Sequence, residues 1–242
     1  KSAGLTVSGQ LSAESFALAV CEKLKEFYKI SPHSIIEPTS GIGNFIYSSA
    51  TTFKHVNNIY GIEINSEYCN EAENKLSSIT DVNIFLFNED IFSFDFSEIK
   101  EKINKDEQLL ILGNPPWATN TQLSSIGSYN LPMKDNFKGN VGFDAITGKG
   151  NFDIAEYIIL QLLSEFDGYN CCLAMLCKHI VAKNIVRDMD KYKFSMSNID
   201  FFQFSAKEIF NINCEAGLLV INLERDKSQI CNVYNFNDSH QV

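Results

Sequence analysis

Apolar positions along this chain follow two periods, and their alternation predicts a sheet covered by helices. Residues 12–29 place apolar side chains at helical spacing, and Ser12 is positioned to cap this helix. Short apolar runs then predict strands at 34–37, 58–63, 82–87, 108–113, 169–177, 199–204 and 217–223, with a last apolar alternation at 230–236. Helical periods predict further helices that begin at 43, 66, 153 and 178. Such βα units in series indicate an α/β fold with a mostly parallel, doubly wound sheet.

One segment does not follow this alternation. Residues 118–150 are rich in Asn, Ser, Thr and Gly and show neither period. At about 30 residues, the segment far exceeds the usual connection of about 4–6 residues, and loops of this length are functional or disordered. Because it directly follows a chemically distinctive turn at 114–117, we expect a lid or a substrate-binding loop. The whole chain, 1–242, is predicted to form one domain that contains this loop as an insertion, without a separate target-recognition domain.

Composition limits the location and the partners of the protein. No apolar run approaches the roughly 20 residues that a membrane helix needs, so no membrane association is expected. Seven cysteines, an odd number, occur without Cys-x-x-Cys spacing, which indicates a reducing cytoplasm and predicts neither disulfides nor a metal site. The net charge of −10 opposes non-specific attraction to a polyanion, so any nucleic-acid partner requires a local basic surface or a second subunit.

The sequence Asn114-Pro115-Pro116-Trp117 follows the predicted strand at 108–113. Two successive prolines fix φ and remove two backbone donors, so the Asn114 amide and a proline carbonyl can face a cavity. These two oxygens can accept the N–H groups of a planar amine, and Trp117 offers a flat face to the ring that carries it. The alternative is a Pro-Pro turn that follows a buried strand and carries an aromatic by chance.

Three earlier strand ends also carry distinctive residues. The first continues into residues 37–45, Glu-Pro-Thr-Ser-Gly-Ile-Gly-Asn-Phe, whose glycines allow close approach of a ligand or simply form a tight turn. The second ends at Glu63, which can accept both hydroxyls of a ribose or remain solvated. The third ends at Asp90, which can accept from an adenine amino group, although Glu89 is adjacent. Together these strand ends predict a pocket for an adenosine-bearing cofactor beside a pocket for an amino group.

In this order, the motifs resemble those of the S-adenosylmethionine-dependent amino methyltransferases, in particular the DNA adenine-N6 enzymes. The resemblance covers nearly the whole chain and extends to residues 207–221, where Phe210 matches a family aromatic that stacks on the flipped base. A further segment at 153–157 resembles a family segment near the cofactor. The resemblance implies the doubly wound methyltransferase sheet, with seven strands of which one is antiparallel.

The same resemblance implies roles for individual residues. It implies catalytic roles for Asn114, Pro115, Pro116 and Trp117. It implies S-adenosylmethionine as the cofactor, held by Glu37, Pro38, Thr39, Gly41, Gly43, Phe45, Glu63, Ile64, Asp90, Ile91 and Asn114. It implies contacts to the substrate from Trp117 and Phe210. The implied reaction is methyl transfer to adenine N6 of DNA in a restriction-modification type of system.

A helix after the fifth predicted strand carries the best intrinsic candidates for phosphate contacts. Lys183, Arg187 and Lys191 follow one another at intervals of four residues, so one helix face is predicted to be basic in an acidic protein. A solvated helix face is the alternative. Lys183 and Arg187 are therefore predicted to contact the DNA substrate.

The sequence departs from the family at two places. Ser12-Ala13 stands where relatives often show Thr-Pro, and the chain stops soon after Phe210, which leaves no room for a recognition domain. Specificity is therefore expected from a separate domain or subunit. Three alternatives stay open: methylation of an RNA adenine, methylation of a protein glutamine amide by an enzyme type that more often carries Tyr at 117, and a non-catalytic cofactor-binding subunit.

Overall fold

The computed structural model describes residues 12–119, 153–192, 196–223, 231–238 and 240–241. Residues 120–150 of the predicted long loop lie outside these described residues, so its prediction as a lid or substrate-binding loop stays a prediction. Among the described residues, no helix is both long enough and apolar enough to cross a membrane.

The described elements follow the predicted alternation of strands and helices. The helices are α1 (Ala13–Tyr28), α2 (Asn44–Thr52), α3 (Ser66–Leu76), α4 (Ser97–Lys102), α5 (Ile154–Glu165), α6 (His179–Asp188) and α7 (Ala206–Phe210). The strands are β1 (Ser34–Glu37), β2 (Asn58–Ile62), β3 (Asn83–Phe87), β4 (Leu109–Gly113), β5 (Cys171–Lys178), β6 (Ser197–Ser205), β7 (Glu215–Leu223) and β8 (Cys231–Asn235). Ser12 caps α1 as predicted, because its side chain accepts a hydrogen bond from Ser15 N.

The strands form one sheet in the order β3-β2-β1-β4-β5-β7-β6-β8. Strand β7 is antiparallel to both of its neighbours, and every other pairing is parallel. The predicted α/β class and mostly parallel sheet are confirmed. The predicted number of seven strands is wrong, because β8 pairs in parallel with the outer edge of β6 and brings the sheet to eight.

Two apolar layers cover the faces of this sheet. Helices α1, α2 and α3 contribute to the cluster on one face, and α4, α5 and α6 contribute to the cluster on the other. Helix α5 lies deepest, because all residues from Ile154 to Leu163 are buried. Strand order reverses between β1 and β4, and the crevice outside the carboxyl ends at such a reversal is where open α/β sheets bind ligands.

Candidate active site

Two cavities open at the carboxyl ends of the central parallel strands. The smaller measures about 190 Å³ and the larger about 670 Å³. Both are lined by Thr39, which follows β1, so the two cavities are adjacent. The Thr39 hydroxyl is buried and has no hydrogen-bond partner among the described residues. A polar atom of a ligand that spans both cavities would satisfy it.

The small cavity combines apolar walls with acidic side chains. It is lined by Pro38, Thr39, Ile62, Glu63, Ile64, Glu89, Asp90, Ile91, Phe92, Pro116, Ile154 and Ile158. Asp90 Oδ1 accepts a hydrogen bond from Phe92 N at 3.0 Å, while Asp90 Oδ2 has no partner among the described residues. An exocyclic amine is a suitable donor for that second oxygen, and Ile64, Ile91 and Ile158 can pack on the flat ring that bears it.

Glu63 stabilises the glycine turn that connects β1 to α2. Its Oε2 accepts from Gly41 N at 2.8 Å, and its Oε1 accepts from Asn65 N at 2.8 Å. Gly41 and Gly43 both have positive φ, at 52° and 76°, which favours glycine. A side chain at Gly43 would also contact Leu76 of α3. Glu63 therefore has a turn-forming role that the sequence did not indicate, and its remaining lone pairs stay available for the predicted ribose.

Glu37 is the buried acid at the end of β1. It is only 3% exposed, and its Oε2 accepts from Ile46 N at 3.1 Å. Burial raises the pKa of Glu37 well above its usual value, the hydrogen bond from Ile46 opposes this rise, and the charge of Glu63 adds to it. Because Glu37 lines the large cavity, a cationic ligand group bound there would favour its charged form.

The large cavity brings two of the residues predicted around the transferred group, Asn114 and Phe210, together with several predicted cofactor residues. It is lined by Ala13, Phe16, Glu37, Thr39, Ser40, Gly41, Ile42, Asn44, Phe45, Tyr68, Glu71, Asn114, Leu176 and Phe210. Asn114 is exposed and its side chain has no hydrogen-bond partner among the described residues, so its amide is free to contact a ligand. Pro115 is buried and Pro116 lines the small cavity, so the motif that begins at Asn114 reaches both cavities.

Trp117 lies beside the large cavity rather than in its lining. The indole is half-buried, and its Nε1 donates to the Leu176 carbonyl at 3.3 Å. Its ring meets Phe210 edge to face, with centroids 5.3 Å apart and planes at 82°. Phe210 packs in turn on Phe16 of α1 at 5.6 Å. The two aromatics predicted to hold a base are therefore in direct contact with each other.

Residues at the start of the predicted long loop contact residues that follow it in the chain. Thr119 forms an antiparallel bridge with Asp153, and Ile154 N donates to the Ala118 carbonyl at 3.0 Å. Asp153 caps α5 and also forms an ion pair with Lys178 at 2.9 Å. Ala118 and Thr119, at the start of the segment 118–150, are therefore held against Asp153 and Ile154 next to Trp117.

The two predicted phosphate contacts, Lys183 and Arg187, line neither of the two cavities. Lys183 and Arg187 belong to α6, which packs on the opposite face of the sheet from α1, α2 and α3. Arg187 and Lys191 both form ion pairs with Asp188 at 2.7 Å, and these cations hold the pKa of Asp188 below its usual range. Their role in DNA binding stays a prediction.

Several lining residues were not identified from the sequence. Tyr68 and Glu71 lie on α3 and Leu176 on β5, and they reach the large cavity only through the fold, while Asn44 begins α2 within the 37–45 motif. Tyr68 is an aromatic side chain in the first turn of α3 that is 47% exposed. An aromatic beside polar residues in a helix carries no sequence signal for a site, because it is equally typical of a partly exposed core edge.

Comparison with known proteins identifies one sequence relative and similar folds. The chain is 37% identical over 216 residues to the type II methyltransferase M.NspV of Nostoc sp., a match covering 89% of this chain and 44% of that protein. The chain thus spans less than half the length of this relative. No family model matches the sequence.

Two solved structures share the fold at low sequence identity. A class I S-adenosylmethionine-dependent methyltransferase described as putative, from Listeria monocytogenes, has a TM-score of 0.62 at 12% identity, covering 97% of this chain and 69% of that one. A methyltransferase subunit of a type I restriction-modification system, from Streptococcus thermophilus, has a TM-score of 0.57 at 13% identity, covering 92% of this chain and 46% of that one. The chain therefore has the S-adenosylmethionine-dependent methyltransferase fold, and S-adenosylmethionine is the cofactor that fold and relative support.

Proposed function

We propose that this chain, with its methyltransferase fold and its restriction-modification relative, is the catalytic unit of a DNA adenine-N6 methyltransferase. The observation that carries the proposal is the position of Asn114. Its exposed amide lines the large cavity, while Pro116, two residues later, lines the small cavity. A target amine held by Asn114 would then lie next to a cofactor whose adenine occupies the small cavity.

The small cavity is suited to the adenosine end of the cofactor. Asp90 Oδ2 would accept from the adenine amino group, and Glu63 would contact the ribose from the end of β2. The buried Glu37 in the large cavity would bind the ammonium of the methionine end, which is a cationic partner for a carboxylate that burial disfavours. These assignments fit a single elongated ligand that passes the Thr39 hydroxyl.

Asn114 and Pro115 would activate the target amine without transferring its proton in the first step. The lone pair of adenine N6 is delocalised into the ring and is a poor nucleophile. Hydrogen bonds from its two N–H groups to the Asn114 side-chain oxygen and the Pro115 carbonyl would localise that pair and orient it. Bound S-adenosylmethionine supplies an electrophilic methyl group. N6 would then attack the methyl group directly, so the N–C bond forms as the S–C bond breaks, S-adenosylhomocysteine leaves, and the methylated nitrogen releases one proton to solvent; neither a cysteine nor a metal is needed.

A base in duplex DNA must leave the stack to reach Asn114. Phe210, which lines the large cavity, and Trp117, which lies beside it, would contact the base, and the two rings would have to separate or shift to admit it between them. DNA as substrate is supported by the relatives from restriction-modification systems. Because the net charge is −10, we expect a specificity domain or subunit outside this chain to supply much of the phosphate binding.

Label transfer from tritiated S-adenosylmethionine tests the proposal. The acceptors are unmethylated genomic DNA, RNA and a protein mixture, and the proposal predicts label in DNA at adenine N6. Asn114→Ala should abolish transfer while cofactor binding measured by calorimetry persists. Asn74→Ala, which changes an exposed amide on α3 outside both cavities, is the matched control and should retain activity.

The other outcomes separate the remaining interpretations. Label only in RNA or only in protein would contradict the DNA assignment and favour the adenine or glutamine alternative. Cofactor binding without transfer to any acceptor, in the presence of a cognate specificity subunit, would favour a non-catalytic role.

A further inference from the structure

Gln161 is a polar side chain on the buried part of α5. Every residue from Ile154 to Leu163 of this helix is buried, and Gln161 is 8% exposed. Its Nε2 donates to the Ile91 carbonyl at 3.1 Å, and its Oε1 is buried without a hydrogen-bond partner among the described residues. An apolar residue would fill this position without an unsatisfied oxygen, so the contact to Ile91 calls for an explanation.

The Ile91 carbonyl belongs to a peptide group that is held at both ends. The carbonyl accepts from Gln161, and the N–H of the same peptide, contributed by Phe92, donates to Asp90 Oδ1 at 3.0 Å. A peptide group is planar, so fixing its oxygen also fixes the direction of its N–H. Gln161 therefore acts on the Asp90 carboxylate through one rigid peptide group. No described hydrogen bond joins the two side chains directly.

This chain of contacts leads to the polar end of the small cavity. With Oδ1 engaged by Phe92, the second oxygen of Asp90 has no described partner and remains available to a ligand. The N–H of Ile91 likewise has no acceptor among the described residues. A 6-aminopurine presents an amino donor and an adjacent ring-nitrogen acceptor, which complements this acceptor and donor pair. A 6-oxopurine presents the reverse pattern and would set a carbonyl against the carboxylate.

We propose that Gln161 is a positioning residue that sets the preference of the cofactor pocket for a 6-aminopurine by fixing the Ile91–Phe92 peptide and, through it, Asp90. The inference rests on the proposed placement of the cofactor adenine in the small cavity. Loss of the Gln161 donor allows that peptide to rotate, so Asp90 loses its fixed orientation. The preference for adenine over its 6-oxo counterpart then falls, whereas the apolar walls continue to hold either ring.

Calorimetric titration with S-adenosylhomocysteine and S-inosylhomocysteine tests this inference. The wild-type chain should prefer the adenosyl ligand, and Gln161→Leu should reduce the ratio of the two affinities by about fivefold or more, the effect of one hydrogen bond. The matched control is Asn232→Leu, which removes another side-chain amide donor, to Asp200 in the β6–β8 pair, and should leave the ratio unchanged. Gln161→Met, with an unbranched side chain of similar length, serves if Gln161→Leu melts below the working temperature.

A second readout distinguishes positioning from general destabilisation. In the methyl-transfer assay, Gln161→Leu should raise the KM for S-adenosylmethionine by about fivefold and leave kcat at saturating cofactor nearly unchanged. An unchanged affinity ratio in a folded Gln161 variant would overturn the positioning role and leave the proposed function intact. Failure of the wild-type chain to bind either ligand would instead overturn the cofactor site itself, and this inference with it.

Discussion

The indole N–H of Trp117 donates a hydrogen bond to the carbonyl of Leu176 at 3.3 Å. Leu176 belongs to β5, the parallel neighbour of the strand β4 that leads into Trp117. The side chain at the end of the Asn-Pro-Pro-Trp turn is therefore tied to the next strand, and its edge-to-face contact with Phe210 adds a second constraint. These two contacts orient the indole in the substrate-free chain.

Trp117→Phe should remove the hydrogen bond that holds the aromatic ring to the Leu176 carbonyl. The phenyl ring keeps an aromatic face but cannot donate to Leu176, and one hydrogen bond contributes about 1 kcal/mol. We expect kcat for DNA methylation to fall by about fivefold or more, while cofactor affinity stays unchanged because Trp117 lines neither cavity. Steady-state label transfer and calorimetry measure the two quantities.

The control for this variant is Phe27→Leu, which alters a partly exposed aromatic outside both cavities. Phe27→Leu should leave kcat for DNA methylation and cofactor affinity at the wild-type level. A Trp117→Phe variant with full kcat would show that the Leu176 hydrogen bond has no part in catalysis, and a variant that loses cofactor affinity would show that Trp117 supports the cofactor site instead.

Asp90 and the adjacent Glu89 are both candidates for the acid that accepts a hydrogen bond from the adenine amino group, and the structure distinguishes them. Both line the small cavity, but only Asp90 has a described hydrogen bond, from Phe92 N, that fixes its carboxylate. Asp90→Ala should weaken the binding of S-adenosylmethionine by at least about 1 kcal/mol, or about fivefold. Glu89→Ala should change it much less. Calorimetry on the two variants compares them directly, and equal losses would contradict the assignment to Asp90.

The central strands of the sheet could be predicted from the sequence because they are buried on both faces. Runs such as Leu109–Gly113 and Cys171–Lys178 are almost entirely apolar, and helices such as α1, α3 and α6 are amphipathic, so both periods are visible. The two helices that were not predicted, α4 and α7, have six and five residues, too few to establish a helical period. The pairing of β8 with β6 depends on contacts between distant segments, so local patterns carry no information about it.

The candidate site was predictable where it follows strand ends. Glu37, Glu63, Asp90 and Asn114 each come at or just after the end of a parallel strand, and such ends meet at one edge of the sheet. Gln161 is different, because it lies in the second turn from the end of a buried helix and reaches the site through a peptide of another segment. A role that depends on such a contact leaves no pattern of spacing in the sequence.

Glu37 connects the stability of the chain to pH. Burial raises the pKa of Glu37 above the value of about 4.3 expected for an unfolded glutamate. At a pH between the unfolded-state pKa and the folded-state pKa of Glu37, the folded state holds a proton that the unfolded state has lost. The free energy of unfolding therefore falls as pH rises through this interval. Above the folded pKa the carboxylate is charged in both states, and the loss stays constant.

Glu37→Gln should therefore stabilise the unliganded chain and weaken its function. The amide can still accept from Ile46 N but carries no charge, so the melting temperature should exceed that of the wild type at about pH 8, and the difference should shrink towards about pH 5. The same variant should bind S-adenosylmethionine more weakly, because the ammonium of the cofactor loses its carboxylate. Thermal melts across this pH range and calorimetry measure the two effects.

Glu71→Gln is the control, since this exposed acid lines the same cavity without the burial of Glu37. Its melting curve should follow that of the wild type at every pH, because an exposed carboxylate gains little from losing its charge. If Glu37→Gln melts at the same temperature as the wild type at every pH but binds cofactor less tightly, the burial of the charged Glu37 does not destabilise the folded chain. If it is more stable and binds equally well, Glu37 is not the partner of the cofactor ammonium.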